Sequence, residues 1–254
     1  MLNGFDFVII GLAGVGGGFV NAIAGGGTLV TFPALTAIGV PPVIANLTNA
    51  VALCPGFLGA AMAQRRDLLG QERRMRILLP ISAMGGALGA VLLLSGGERV
   101  FRTLIPFLIL AASALLAAQE RIRGWLATRT WHSTSGHGSE ARLAAFLGLG
   151  SIYGGYFGAG LSVVILAVLG LLLDESLTRI NALKSMLGFG INVAAAVFFA
   201  FSGQVLWSAA LTMAAGAAIG GVAGGRLAAR IRPGALRWTV VCIGTAVGLI
   251  YLVG

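Results

Sequence analysis

Charge is what this sequence has least of. Only 10% of its 254 residues are Asp, Glu, Lys or Arg, where a soluble domain carries about 25%. Hydrophobic residues make up 57%, which leaves too little polar material to coat a water-soluble globule. Lysine occurs once, at Lys184, and histidine twice, at His132 and His137. Neither histidine lies in an apolar run, which argues against an intramembrane Ser/His protease. Cys54 and Cys242 sit inside apolar stretches and read as small core hydrophobes. Two scattered cysteines and two loop histidines make no metal site. No GxxxxGK[ST] loop occurs, so nothing supports ATP-driven transport within this chain. The carboxylates Asp6, Asp174 and Glu175 sit at the ends of apolar segments, and no buried carboxylate proton relay is evident. Neither a cofactor nor an enzymatic activity is expected. The net charge of +9 does not point to nucleic acid. The arginines fall between apolar runs, with no basic, aromatic-interleaved patch.

What is present in excess is glycine, 40 residues, a residue that lets membrane helices approach closely. The chain is long enough for about ten membrane segments of about 20 residues. Met1 to Phe7 has no positive leader region and reads as the lead-in to the first segment. No charged residue occurs between Asp6 and Arg65. Gly25-Gly26-Gly27 and Pro41-Pro42 divide that span into segments 5–24, 28–38 and 43–63. As a helix the middle piece is only about 16 Å long, about half the hydrocarbon thickness. Segments 77–95 and 101–119 follow, with a turn at Glu98 and Arg99. Residues 120–142, with Trp125, Trp131 and both histidines, read as an aqueous cytoplasmic linker.

The second half repeats the plan. Segment 143–157 is broken at Gly158-Ala159-Gly160, and the short 161–173 follows, then 179–201, 205–227 and 236–254. A shift of 135 maps Asn46 to Asn181, Gly85-Gly86 to Gly220-Gly221, Gly89 to Gly224 and Arg102 to Arg237. A shift of 133 maps Gly25 to Gly158 and Gly27 to Gly160. The expected fold is therefore all-α: a polytopic membrane protein of two five-segment repeats, 1–119 and 143–254, joined by 120–142. The basic loops Arg65–Arg76, Arg121–Arg142 and Arg226–Arg237 belong on the cytoplasmic side. With five segments per half the repeats are inverted, and both termini face outward.

Inverted repeats with broken helices commonly hold a ligand at the repeat interface. Each break opens a short helix, whose free N–H groups and positive end suit an anion. The candidate ligand residues at the breaks are Gly25, Gly26, Gly27, Thr28, Gly158, Gly160 and Ser162, with Asn21, Tyr153 and Tyr156 just before them. Asn46, Thr48, Asn49, Asn181, Lys184 and Asn192 carry the polar load of the longer segments. Asn46 and Asn49 share a helix face, as do Asn181 and Lys184. Lys184 either meets an anionic substrate or snorkels toward the cytoplasm beside Asp174 or Glu175. For the glycines of 77–95 and 205–227, helix packing is the expected role. Arg102 and Arg237 are expected as interfacial anchors.

The run from Gly14 to Asp67, with NAIAGGGTLVTFPAL, the Ile-Gly-Val turn and Asn-Leu-Thr-Asn, resembles the sulfite exporter TauE/SafE family. GSIYGGYFGAG and the Asn181–Lys184 region resemble that family's second repeat, so the likeness covers nearly the whole chain. It departs at the second break, which is Gly-Ala-Gly and lacks a proline corresponding to Pro33. The resemblance implies a transporter of sulfur-containing anions such as sulfite, sulfoacetate or another organosulfonate, in a bacterial inner membrane. The partners it implies are a small anion and the lipid bilayer; a homo-oligomer is left open. A channel-like anion pore, a carrier of another small organic anion and a membrane scaffold are the competing readings.

Overall fold

The computed structural model describes residues 2–128, 137–227 and 234–253. Trp131, His132 and residues 228–233 of the third basic loop lie outside them. Ten helices are described: α1 (Gly4–Ile23), α2 (Thr28–Ala37), α3 (Pro42–Ala63), α4 (Arg65–Leu68), α5 (Glu72–Thr128), α6 (His137–Tyr156), α7 (Leu161–Leu172), α8 (Leu177–Phe201), α9 (Trp207–Leu227) and α10 (Gly234–Val253). No strand occurs among the described residues. Six of these helices, α1, α3, α5, α8, α9 and α10, are long and apolar enough to cross a membrane.

The boundaries follow local chemistry. Asn3 caps α1 with a reciprocal box: its side chain accepts from the Asp6 N–H at 3.0 Å, and the Asp6 carboxylate accepts from the Asn3 N–H at 2.7 Å. Pro42 opens α3, where its missing N–H costs nothing. α5 runs for 57 residues, about 85 Å if straight, but is broken at Gly97 (φ 67°, ψ −178°). It thus consists of two arms, as the turn at Glu98 and Arg99 predicts. The second arm continues to Thr128, so residues 120–128 of the expected linker are helical.

The bundle is built from contacts exchanged between halves. α1 and α3 pack on α9, while α6 and α8 pack on α5; α3 and α8 meet each other, and the short α2 and α7 pack on α10 and α5. The exchange is kept at residue level. A side chain on Gly220 would strike the carbonyl of Val15, and one on Gly85 the carbonyl of Gly148. Gly224 stands against the carbonyl of Phe19, and Gly89 against that of Ile152. Gly221 abuts Gly56, and Gly86 abuts Ile191. Each pair is displaced from its counterpart by the same 135 and 133 positions that relate the two halves of the sequence. These contacts are backbone to backbone, the close approach that small residues permit in a bilayer. Outward-facing Leu12, Met84, Leu88, Phe107, Leu211 and Ile250 are exposed, as an apolar surface against lipid tails requires.

Candidate functional site

The two breaks have the same local structure. In the first, the carbonyl of Val20 accepts from both Ala24 (2.8 Å) and Gly25 (2.9 Å). In the second, the carbonyl of Tyr153 accepts from Phe157 (3.0 Å) and Gly158 (3.3 Å). The helix is closed each time by a glycine in the left-handed region, Gly25 at φ 73° and Gly158 at φ 75°. The next helix opens on Gly27, whose carbonyl accepts from Val30 and Thr31 at 3.0 Å, and on Gly160, whose carbonyl accepts from Val163 at 2.9 Å and Val164 at 3.3 Å. Among the described residues no backbone carbonyl accepts from Gly26, Gly27 or Thr28; these are the donors a helix N-terminus leaves free.

The breaks meet. A side chain on Gly25 would overlap that of Ser162, and the Ser162 hydroxyl donates to Asn21 Oδ1 at 3.4 Å. Phe157 of the second break stacks edge-on against Phe32 of α2 (5.5 Å between centroids) and Phe101 of α5 (5.9 Å). The positive ends of α2 and α7 therefore converge between the halves, with Gly26 against Leu116 and Gly160 against Ala112 of the second α5 arm.

Most of the polar candidates gather around this junction. Thr28 Oγ1 lies 3.5 Å from Asn49 Nδ2, and Asn46 Nδ2 donates to the Tyr156 carbonyl at 2.9 Å. The Tyr153 hydroxyl donates to the Ala159 carbonyl at 2.5 Å, which ties it to the loop of its own break. The Tyr156 ring packs edge-on to Phe101. Asn181 donates to Gln64 Oε1 at 2.7 Å. Gln64 is buried, and the sequence reading missed it because it ends an apolar segment beside a charged loop.

Two candidates are used elsewhere. Thr48 is wholly buried, but its hydroxyl accepts from the Leu206 N–H at 3.1 Å, capping the approach to α9. It lies one residue before Asn49, about 100° around the helix. Asn192 donates to the Gly188 carbonyl of its own helix at 2.9 Å.

Lys184 does not snorkel: it is 1% exposed. The acid expected beside it is engaged with other residues. Glu175 accepts from Arg74 at 2.6 Å and Arg179 at 2.7 Å. Partial burial pushes this carboxyl up, but the two guanidinium bonds outweigh it and hold the group below the usual carboxylate range. Arg237 departs from the expected interfacial anchor. It is 4% exposed and pairs with Glu120 at 2.6 Å, whereas its counterpart Arg102 is exposed and pairs with Glu98 at 2.8 Å.

Comparisons with known proteins agree with this architecture. The family model for sulfite exporter TauE/SafE matches residues 10–251. A probable membrane transporter protein of Haemophilus influenzae is 29% identical over 221 residues, covering 82% of this chain and 80% of that protein. The probable membrane transporter protein YfcA of Escherichia coli is 25% identical over 236 residues, covering 89% and 81%. A similar Sinorhizobium protein, ORF9, is 29% identical over 224 residues, covering 83% and 78%. No solved structure matches. With a family match over almost its whole length and paired helix breaks meeting inside an apolar bundle, this chain belongs to the sulfite exporter TauE/SafE family of membrane transporter proteins.

Proposed function

We propose that the protein is a secondary transporter of small sulfur-containing anions, sulfite or an organosulfonate, working by alternating access in a bacterial inner membrane. The observation that carries this reading is the contact of Gly25 with Ser162, which brings the free donors of two helix N-termini to one place. Such termini favour negative charge. Lys184 adds the chain's only lysine ammonium, buried and with no carboxylate bonded to it among the described residues. An embedded cation of that kind calls for an anionic partner.

The moving parts are the two repeats, inverted relative to each other, with both termini outside. The recurrence of glycine contacts at matched offsets supports that symmetry. In this reading the anion sits at the repeat interface, and rocking of one half against the other opens it to each side in turn. The experiment is anion flux into proteoliposomes alongside thermal stabilisation of the purified protein by sulfite and sulfoacetate. Saturable flux, with stability rising with the logarithm of anion concentration, is expected. Flux that never saturates would favour an open pore. No stabilisation by any oxyanion or sulfonate would remove the anion site.

A further inference from the structure

Two equivalent asparagines present their amide oxygens to nothing. Asn46 Nδ2 is bound to the Tyr156 carbonyl, a group that only accepts, so the orientation of this amide is set by chemistry. Its Oδ1 is buried and has no partner. In the second half Asn181, 135 residues on, also turns an oxygen to nothing, though a different partner holds it. Gln64 Nε2 donates to the Ala60 carbonyl at 3.2 Å, which turns Oε1 toward Asn181 and makes Asn181 donate through Nδ2. Asn181 Oδ1 is likewise buried and unpartnered. Both residues are more than nine-tenths buried.

The halves differ one turn further along. In the second, position 184 is a lysine, an ammonium with three donors on a flexible stem. In the first, the corresponding position is Asn49, whose Oδ1 is again buried without a partner. The first half thus has two orphan acceptors on one helix face and no cation, where the second has one acceptor and a cation. We propose that Asn46 and Asn49 bind a small monovalent cation of the sodium class, which the transporter carries together with its anion. This rests on the anion reading above.

The chemistry selects the occupant. Neutral amide oxygens repel an anion and suit a hard cation. Among the described residues no carboxylate bonds to either asparagine to balance a double charge, which disfavours a divalent ion. Amide oxygens are not basic enough to carry a proton. The Tyr156 carbonyl ends α6, the negative end of that helix, while Thr28 beside Asn49 opens α2, a positive end. Cation and anion would then lie side by side where the two breaks meet, each lowering the cost of burying the other.

The test is thermal stability of the purified full chain in sodium chloride against N-methyl-D-glucamine chloride at equal ionic strength, without and with sulfite. Sodium alone should stabilise, and it should lower the half-saturating sulfite concentration about tenfold. Asn46→Ala should abolish the sodium effect. Asn49→Asp, whose added carboxylate can accept from the Thr28 hydroxyl, should lower the half-saturating sodium concentration about tenfold by supplying a charge to the cation. Asn49→Lys, which copies the second half, should make sulfite binding independent of sodium. Equal stability in both salts, or sulfite flux driven by a pH gradient in N-methyl-D-glucamine alone, would overturn the cation site. Failure of sulfite to stabilise in either salt would strike the anion reading, while the sodium arm would still report on the cation.

Discussion

On α3 the polar pair one turn apart is Asn46 and Asn49; on α8 it is Asn181 and Lys184. The glycines that dock these helices are matched in both halves, Gly221 on Gly56 and Gly86 on Ile191. Packing has kept its symmetry and chemistry has not. Close helix contact depends only on the absence of a side chain, so both copies need the same glycines. The proposed anion need not share the twofold relation of the halves, so the residues proposed to surround it are free to diverge. The arginines show the same divergence. Arg102 is exposed beside Glu98 at one end, and Arg237 is buried against Glu120 at the other.

The largest expected effect comes from making the polar pairs alike. Lys184→Asn should weaken anion binding by about 2–5 kcal/mol, the usual cost of truncating one member of a desolvated charge pair. Isothermal titration with sulfite checks it. Unchanged affinity would place Lys184 outside the anion site.

Next comes the junction of the breaks. Gly25→Ala adds a methyl group at φ 73° into the side chain of Ser162, and should lower stability by about 2–3 kcal/mol. Gly158 is similarly left-handed, but its nearest neighbour is the carbonyl of its own helix at Gly154. Gly158→Ala should therefore leave the contact between halves intact. Ser162→Gly should rescue Gly25→Ala in part, and should not rescue Gly158→Ala. Denaturation midpoints of the single and double variants read this out.

Arg237→Ala should cost about 1–2 kcal/mol, less than a wholly buried pair because Glu120 is half-exposed. Arg102→Ala should cost under about 0.5 kcal/mol, as for an exposed pair one turn apart. Equal melting temperatures for the two variants would erase the distinction between the two ends.

The smallest effect is acid-dependent. Glu175 is held below the ordinary carboxylate range by Arg74 and Arg179. Its contribution is present above the unfolded value of about 4.3. It is lost as pH falls through the lower folded value. Glu175→Gln should flatten the acid limb of a stability profile below about pH 4.5 by no more than about 1 kcal/mol. Nothing in the first half forms a comparable triad among the described residues.

Much of the fold was legible in advance. Gly25-Gly26-Gly27 and Gly158-Ala159-Gly160 mark both breaks, and most of the expected segments end within two residues of the helices; α5, from Glu72 to Thr128, and α6, from His137, reach further into the charged loops than expected. Asn21, Thr28, Asn46, Asn49, Tyr156 and Ser162 were legible as neighbours of those breaks. Thr48 was misleading, because polarity within a segment does not reveal which way a residue faces. Gln64 was hidden, because its partner Asn181 is 117 positions away. Arg237 resembled an anchor only because sequence places it at a helix end.

Composition and local pattern alone determined that this chain lives in a bilayer and where its two helix breaks fall. Those properties depend on side-chain transfer energies and on glycine's backbone freedom, which act residue by residue. Only the tertiary structure decided that Gly25 touches Ser162, that Lys184 is buried away from Glu175, and that three asparagines turn unpartnered oxygens inward. Those depend on the rotational setting of each helix, about 100° per residue, and that is set by neighbours drawn from the opposite half of the chain.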